Sequence, residues 1–218
     1  KLKKQKRLPH PVISIGNITV GGTGKTPATI AVAEEAKKRG LYPIILTRGY
    51  KGKAKGPCFV LARKLGSSEV KNFYASALPH FCSSALEAGD EPVLMAERLK
   101  DVPVVKCADR YVGGMFALQS HQPSAISHQP VFILDDGFQH YKLHRDIDIV
   151  LIDGLNPFGN RKMLPAGPLR EPLKELKMAD VFVVTKAKNE PLAEELKKIN
   201  PSASVYFSEY RTVKVRNV

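Results

Sequence analysis

An apolar run, Val12-Ile13-Ser14-Ile15, is followed by Val20-Gly21-Gly22-Thr23-Gly24-Lys25-Thr26 and then by a stretch of helix formers. This order constrains the chain more than any other feature. Glycines let consecutive backbone N–H groups turn onto phosphate oxygens without a Cβ in the way, and the helix N-terminus adds its positive dipole end. Lys25 is then placed to reach β- and γ-phosphates, and the Thr26 hydroxyl to hold Mg²⁺. The bland alternative is a capped strand-to-helix turn; the strand before and the helix after favour a phosphate loop. Pro27 suits a first helical turn, Ala28 to Arg39 continue the helix, Lys37, Lys38 and Arg39 suit its last turn, and Gly40 supplies the stop. The motif departs from G-x-x-x-x-G-K-[ST] at its first position, which is Thr19.

Short apolar runs alternate with helical or irregular stretches along the rest of the chain. The predicted strands are Val12 to Ile15, Pro43 to Thr47, Pro103 to Val105, Val131 to Leu134, Ile147 to Ile152, Val181 to Thr185 and Val205 to Phe207. Little polar alternation within them indicates strands buried on both faces, hence an α/β fold of the P-loop NTPase type: a mostly parallel sheet with helices on both faces. Residues 63–88 lack periodicity and read as a surface excursion that returns Gly89-Asp90-Glu91 to the sheet. Ser120-His121-Gln122-Pro123 recurs as Ser127-His128-Gln129-Pro130 and reads as a polar connection rather than a metal site, because no carboxylate or cysteine stands at ligand spacing.

The balance of 34 Lys and Arg against 21 acids gives a net charge of +13, so the partners are anionic. Lys1-Leu2-Lys3-Lys4-Gln5-Lys6-Arg7 reads as a solvated basic arm with the makings of a membrane-surface tether. The three cysteines, Cys58, Cys82 and Cys107, are far apart and include no C-x-x-C pair. Neither a disulfide framework nor a zinc site is expected, which suits a reducing cytoplasm. No run is long enough to span a bilayer and no signal peptide is visible. The expected division is a basic arm over 1–10, a P-loop kinase domain over 11–207, and over 208–218 the start of a link to a missing C-terminal domain. The first residue is Lys and no packing element follows the last strand, so a fragment is expected.

Val131 to Leu134 ends in Asp135-Asp136, where a P-loop protein places an acid beside Mg²⁺. Alone, two acids before Gly137 also fit a capped turn; with Lys25 and Thr26 they fit a site at the carboxyl ends of the strands. The segment Gly137 to Asp146 is dense in polar groups for a connection between buried strands, and loops at this edge carry function.

Six segments in order, Gly16 to Pro27, Thr47-Arg48-Gly49-Tyr50, Gly89-Asp90-Glu91-Pro92, Asp109-Arg110, Asp135 to His140, and Leu164 to Pro172, resemble the tetraacyldisaccharide 4'-kinase family over about Leu8 to Lys186. That family carries Thr-Val-Gly-Gly-Thr-Gly-Lys-Thr at its loop, so Thr19 is a family trait. The resemblance implies transfer of the ATP γ-phosphate to the 4'-hydroxyl of an acylated glucosamine disaccharide, an anionic glycolipid, with Mg²⁺. The setting it implies is the cytoplasmic face of the bacterial inner membrane, the protein acting as a peripheral monomer. By position, Gly21, Gly22, Thr23, Gly24, Lys25 and Thr26 match the nucleotide loop. Thr26, Asp135, Asp136 and Glu171 match the metal set. Asp90 matches the general base, with Lys25 also catalytic. Arg48, Glu91, Arg110, Gln139 and His140 match positions attributed to substrate or phosphate contacts. The family also has a membrane-associating N-terminal helix and a smaller C-terminal domain whose histidine partners the aspartate. Neither has an equivalent in this chain, and if these 218 residues are the whole protein, nucleotide binding with severely reduced transfer is expected.

Two other classes fit less well. ATPases that position proteins on membranes share the glycine loop but carry a lysine before the paired glycines, where this chain has Val20. A basic nucleic-acid module accounts for the charge, yet no such motif is present and aromatics are not interleaved with the cations. No nucleic-acid partner is expected.

Overall fold

A computed structural model describes residues 5–50, 52–61, 80–120 and 128–209. The chain forms two compact units, residues 1–15 with 25–146 and residues 16–24 with 147–218.

The first unit is built on a sheet ordered β4-β3-β5-β2-β6-β1, whose strands are β1 (Val12–Gly16), β2 (Leu41–Thr47), β3 (Cys58–Val60), β4 (Phe81–Cys82), β5 (Val104–Lys106) and β6 (Gln129–Asp135). β1, β2, β5 and β6 run parallel, with Ile15 opposite Asp135, Leu46 opposite Leu134 and Thr47 opposite Lys106. The register brings Thr47, Lys106 and Asp135 to one edge. Ile44, Ile45, Phe132, Ile133 and Leu134 are wholly buried, as strands covered on both faces require. Each such side chain contributes roughly 1.5–3 kcal/mol by leaving water. Helix α1 (Lys25–Lys38) packs on β2 and β6 through Thr29, Ala33 and Ala36, small residues at i, i+4 and i+7 that let the helix approach closely. Three further helices among the described residues are α2 (Ala85–Ala88), α3 (Asp90–Arg98) and α4 (Arg110–Ser120).

Two expectations change here. β3 lies before the 63–88 excursion and runs antiparallel to β5, and the end of the excursion supplies β4, parallel to β3, while residues 63–79 lie outside the described residues. The two short strands lie side by side, bringing Cys58 and Cys82 to a Cα separation of 6.0 Å, and they form a disulfide. This corrects the reading that no disulfide was indicated: 24 residues of sequence separation conceal an adjacency that strand pairing creates. Cys107 remains a buried thiol. The basic arm, where described, is docked rather than solvated. Leu8 joins the core with Val12, Phe59, Phe132 and Leu143, and the Lys6 N–H donates to Lys142 O at 2.9 Å. Gln5, Lys6, Arg7 and Pro9 stay exposed, so the docking runs through Leu8 and the backbone. Residues 1–4 of the arm, the central part of the Ser-His-Gln-Pro duplication and most of 208–218 lie outside the described residues.

The second unit holds three parallel strands, β7 (Ile147–Asp153), β8 (Val181–Thr185) and β9 (Ser204–Ser208), in that order. Helix α5 (Glu190–Ile199) links β8 to β9, and its first turn is capped by the Asn189 side chain, which accepts the Leu192 N–H at 3.0 Å. Among the described residues no helix is long and apolar enough to cross a membrane.

Candidate nucleotide and phosphoryl-transfer site

In the first unit the site grows from the end of β6. Asp135 is 3% exposed; Thr47 on β2 donates to one of its carboxylate oxygens at 3.0 Å and Thr29 on α1 to the other at 3.3 Å. Burial pushes its pKa up to about 6, the Thr47 hydroxyl opposes that rise, and the charges of Asp136 and Glu91 reinforce it. Asp136 follows with φ +49°, a left-handed conformation that aspartate tolerates better than most residues. Its carboxylate lies 3.8 Å from the ammonium of Lys25, the first residue of α1. Thr26 stands one helical turn before Thr29 and so shares the helix face turned to β6.

Arg110 opens α4 and is 5% exposed, its guanidinium donating to Ala108 O at 3.0 Å. Burial works against its charge, the acid pair supports it, and the nearby charge of Arg48 opposes it. Arg48 itself is exposed directly after β2. His140 sits on the turn after Gly137 and donates its backbone N–H to Gly137 O at 2.8 Å. Burial, then the charge of Arg110, pushes its pKa down to about 4, so the imidazole is neutral at pH 7. Its Nε2 is shielded from solvent and has no hydrogen-bond partner among the described residues. Gln139 adjoins it. Asp90 and Glu91 are exposed in the first turn of α3. The acid pair, Lys25, Glu91, Arg110, Arg48 and His140 thus influence one another in one neighbourhood.

The second unit carries the glycine loop. Asn17 donates its amide to Thr19 O at 2.8 Å, the Val20 N–H donates to Pro168 O at 2.8 Å, and Thr185 Oγ1 donates to Thr23 O at 3.1 Å. Gly21 and Gly24 have φ of +114° and +89°, which side-chain-bearing residues rarely adopt. A Cβ on Gly21 or Gly22 would meet nothing within 4 Å, so the loop presents its backbone to open space. That space is a cleft of about 240 Å³ lined by Thr19 to Thr23, Asp153, Asn156, Gly159, Pro168 and Lys186. Glu171 follows Arg170, whose N–H donates to Ile18 O at 2.7 Å and whose guanidinium donates to the Asn17 side chain at 2.7 Å. Glu171 is thereby tied in sequence to the approach of the glycine loop.

Sequence reasoning missed Thr29 and Thr47, which hold Asp135, and Thr185 and the Lys186–Asp153 ion pair beside the loop. Their signal was weak: a threonine or lysine at a strand's carboxyl end is unremarked until register shows what it faces.

Among the described residues no three His, Cys, Asp or Glu side chains converge into a metal cage. The donor set of two carboxylates and a threonine hydroxyl suits Mg²⁺, a hard cation commonly held by one or two carboxylates together with substrate phosphates. Asp136, the more exposed acid, fits direct contact; Asp135, with both oxygens already accepting hydroxyl protons, fits a supporting position.

A parallel α/β sheet, a glycine loop leading into a lysine-bearing helix, and an acid pair ending a strand define a P-loop nucleotide-binding protein. The sequence pattern of the family described as tetraacyldisaccharide-1-P 4'-kinase (LpxK) matches residues 1–217, and the chain belongs to that family. It is 46% identical over 188 residues to the tetraacyldisaccharide 4'-kinase of Aquifex aeolicus, covering 86% of this chain and 52% of that protein. It is 39% identical over 217 residues to the tetraacyldisaccharide 4'-kinase of Coxiella burnetii, covering 100% of this chain and 58% of that one. A crystal structure of LpxK from Aquifex aeolicus in complex with ATP is similar, with a TM-score of 0.66 at 33% identity over 95% of this chain and 73% of that chain. The chain spans about half the length of the curated relatives it matches.

Proposed function

We propose that this chain carries the nucleotide-binding and phosphoryl-transfer half of a tetraacyldisaccharide 4'-kinase acting at the cytoplasmic membrane surface of a bacterium. The observation that carries the reading is the Lys25–Asp136 pair at 3.8 Å beside the buried Asp135, next to a cationic pair, Arg48 and Arg110. The glycine loop N–H groups of Gly21 to Gly24 bind phosphate oxygens, and Lys25 leaves Asp136 for the β- and γ-phosphates. Thr26, Asp136 and, behind it, Asp135 would hold Mg²⁺. When bound, Mg²⁺ neutralises charge on the phosphate oxygens.

Asp90 accepts the proton of the 4'-hydroxyl as its oxygen forms the new bond to the γ-phosphorus. The bond from that phosphorus to the bridging oxygen breaks and ADP departs. Arg48 and Arg110 compensate charge on the transferring group; planar guanidinium suits phosphate oxygens better than a lysine does. Gln139, the neutral His140 and Glu91 line the acceptor side, Glu91 and His140 as hydrogen-bond acceptors for sugar hydroxyls.

The test is transfer of labelled γ-phosphate from ATP to tetraacyldisaccharide 1-phosphate in detergent micelles, alongside ATP binding. The parent chain labels the lipid in a Mg²⁺-dependent way. Asp90→Asn keeps ATP binding and loses transfer, and Lys25→Ala loses both. Equal loss of ATP binding in the two variants would sink the base assignment, and undiminished ATP binding by Lys25→Ala would sink the phosphate-loop reading.

A further inference from the structure

Lys106 ends β5 with only 4% of its surface exposed. Its ammonium donates to Gly52 O at 3.2 Å, to Glu87 O at 3.0 Å and to Ala54 O. Three donors meet three backbone acceptors, the condition under which a buried lysine is tolerated. The acceptors belong to two segments: the loop that follows Arg48, and the last turn of α2, where Glu87 stands three residues before Asp90.

Those segments also touch without help from side chains. Lys53 and Ala54 donate their N–H groups to Leu86 O at 2.9 Å and Glu87 O at 3.1 Å. A Cβ on Gly49 would lie 2.4 Å from Ala88 O, one on Gly52 2.5 Å from Glu87 O, and one on Gly89 2.7 Å from Tyr50 O. Three glycines therefore allow a backbone-to-backbone seam, and Lys106 closes it from beneath. Any shift of the ammonium moves both walls at once, the one bearing Arg48 and the one leading into Asp90.

We propose that Lys106 is a positioning residue for phosphoryl transfer, fixing Asp90 and the Arg48 loop at one spacing through three backbone carbonyls; this rests on the functional reading above. Lys106 also lines a cavity of about 460 Å³ with Arg48, Gly49 and Gly52, but its ammonium is committed to the three carbonyls. Its role is expressed in kcat rather than in the affinity for ATP, since a misplaced base or guanidinium costs rate without loosening the phosphate loop.

The experiment compares the parent chain with Lys106→Met, Lys106→Arg and Gly52→Ala. It reads transfer kinetics, ATP affinity and amide hydrogen exchange. Lys106→Met is expected to lower kcat at least tenfold with KM for ATP within twofold, and to speed exchange at residues 49–54 and 87–90 while β1 and β6 stay protected. Lys106→Arg, which keeps the donors, restores part of the rate. Gly52→Ala opens the same seam with Lys106 intact and gives the same signature, so it carries the test if Lys106→Met does not fold. Unchanged kcat in a folded Lys106→Met or Gly52→Ala chain overturns the proposal, as does exchange that rises evenly across the sheet. A parent chain that fails to bind ATP refutes the functional reading instead, and one that binds ATP without measurable transfer is read by exchange. Local exchange at 87–90 then decides the positioning alone: acceleration there supports it, and none overturns it.

Discussion

Gly22 shows how a single position separates binding from stability. A methyl group there meets no protein atom within 4 Å, so Gly22→Ala is expected to unfold at the parent's urea midpoint. The same methyl occupies the space where phosphate must approach, and ATP affinity is expected to fall at least tenfold by titration calorimetry. His140 makes the complementary case with pH. Its folded pKa of about 4 lies below the ordinary 6.5, so its contribution is present above pH 6.5 and is lost as pH falls through 4. Asp135 has the opposite sign: raised from 3.8 to about 6, it stabilises the fold below pH 3.8 and loses that contribution as pH rises through 6. His140→Gln removes only the first effect. Its stability relative to the parent, followed by urea unfolding from pH 7 to 4.5, is expected to improve as the solution becomes more acid; a constant difference across that range would contradict a buried neutral imidazole.

Among the elements, β1, β2, β5 and β6 were legible because they are almost wholly buried and therefore read as apolar runs, while β9, exposed or half-buried along its length, was read from Val205 to Phe207 all the same. β1 and β8 start where those runs start, and β2 and β6 merely extend beyond them. β3 and β4 were not legible. Three and two residues long, they have no period to detect, and their pairing is set by contacts distant in sequence. The disulfide belongs to the same blind spot. The nucleotide loop, the lysine and the acid pair could be read because their chemistry demands fixed residue types at fixed spacing. Arg48, Arg110 and Asp90 came from family resemblance, as a lone arginine or aspartate has no local signature, while Thr47 and Lys106 emerged only from register. At this scale the Cys58–Cys82 bond closes a loop of about 24 residues, and the loop-entropy relation gives it about 3 kcal/mol. Cys58→Ser with Cys82→Ser is expected to lower unfolding free energy by about that much in denaturant, and a parent chain equally stable with and without reductant would show the bond to be energetically silent.

Across the whole molecule, the +13 charge suits an anionic glycolipid and the leaflet that holds it. Partition onto vesicles of anionic phospholipid is expected to weaken steeply between about 50 and about 500 mM salt, as the Debye length shortens from about 14 to about 4 Å, with little binding to zwitterionic vesicles; salt-insensitive binding to both would point to apolar insertion instead. The second unit also has a property of chain order. Its glycine loop is fastened by Pro168 and Thr185, the latter 162 residues downstream of Thr23. A ribosome delivers the loop early and its fasteners late. At about 5–20 residues per second, roughly 8–30 s separate the two. During that interval the clasp on the phosphate loop is missing, so any gain in stability from bound ATP is expected only after residues 168–185 have emerged.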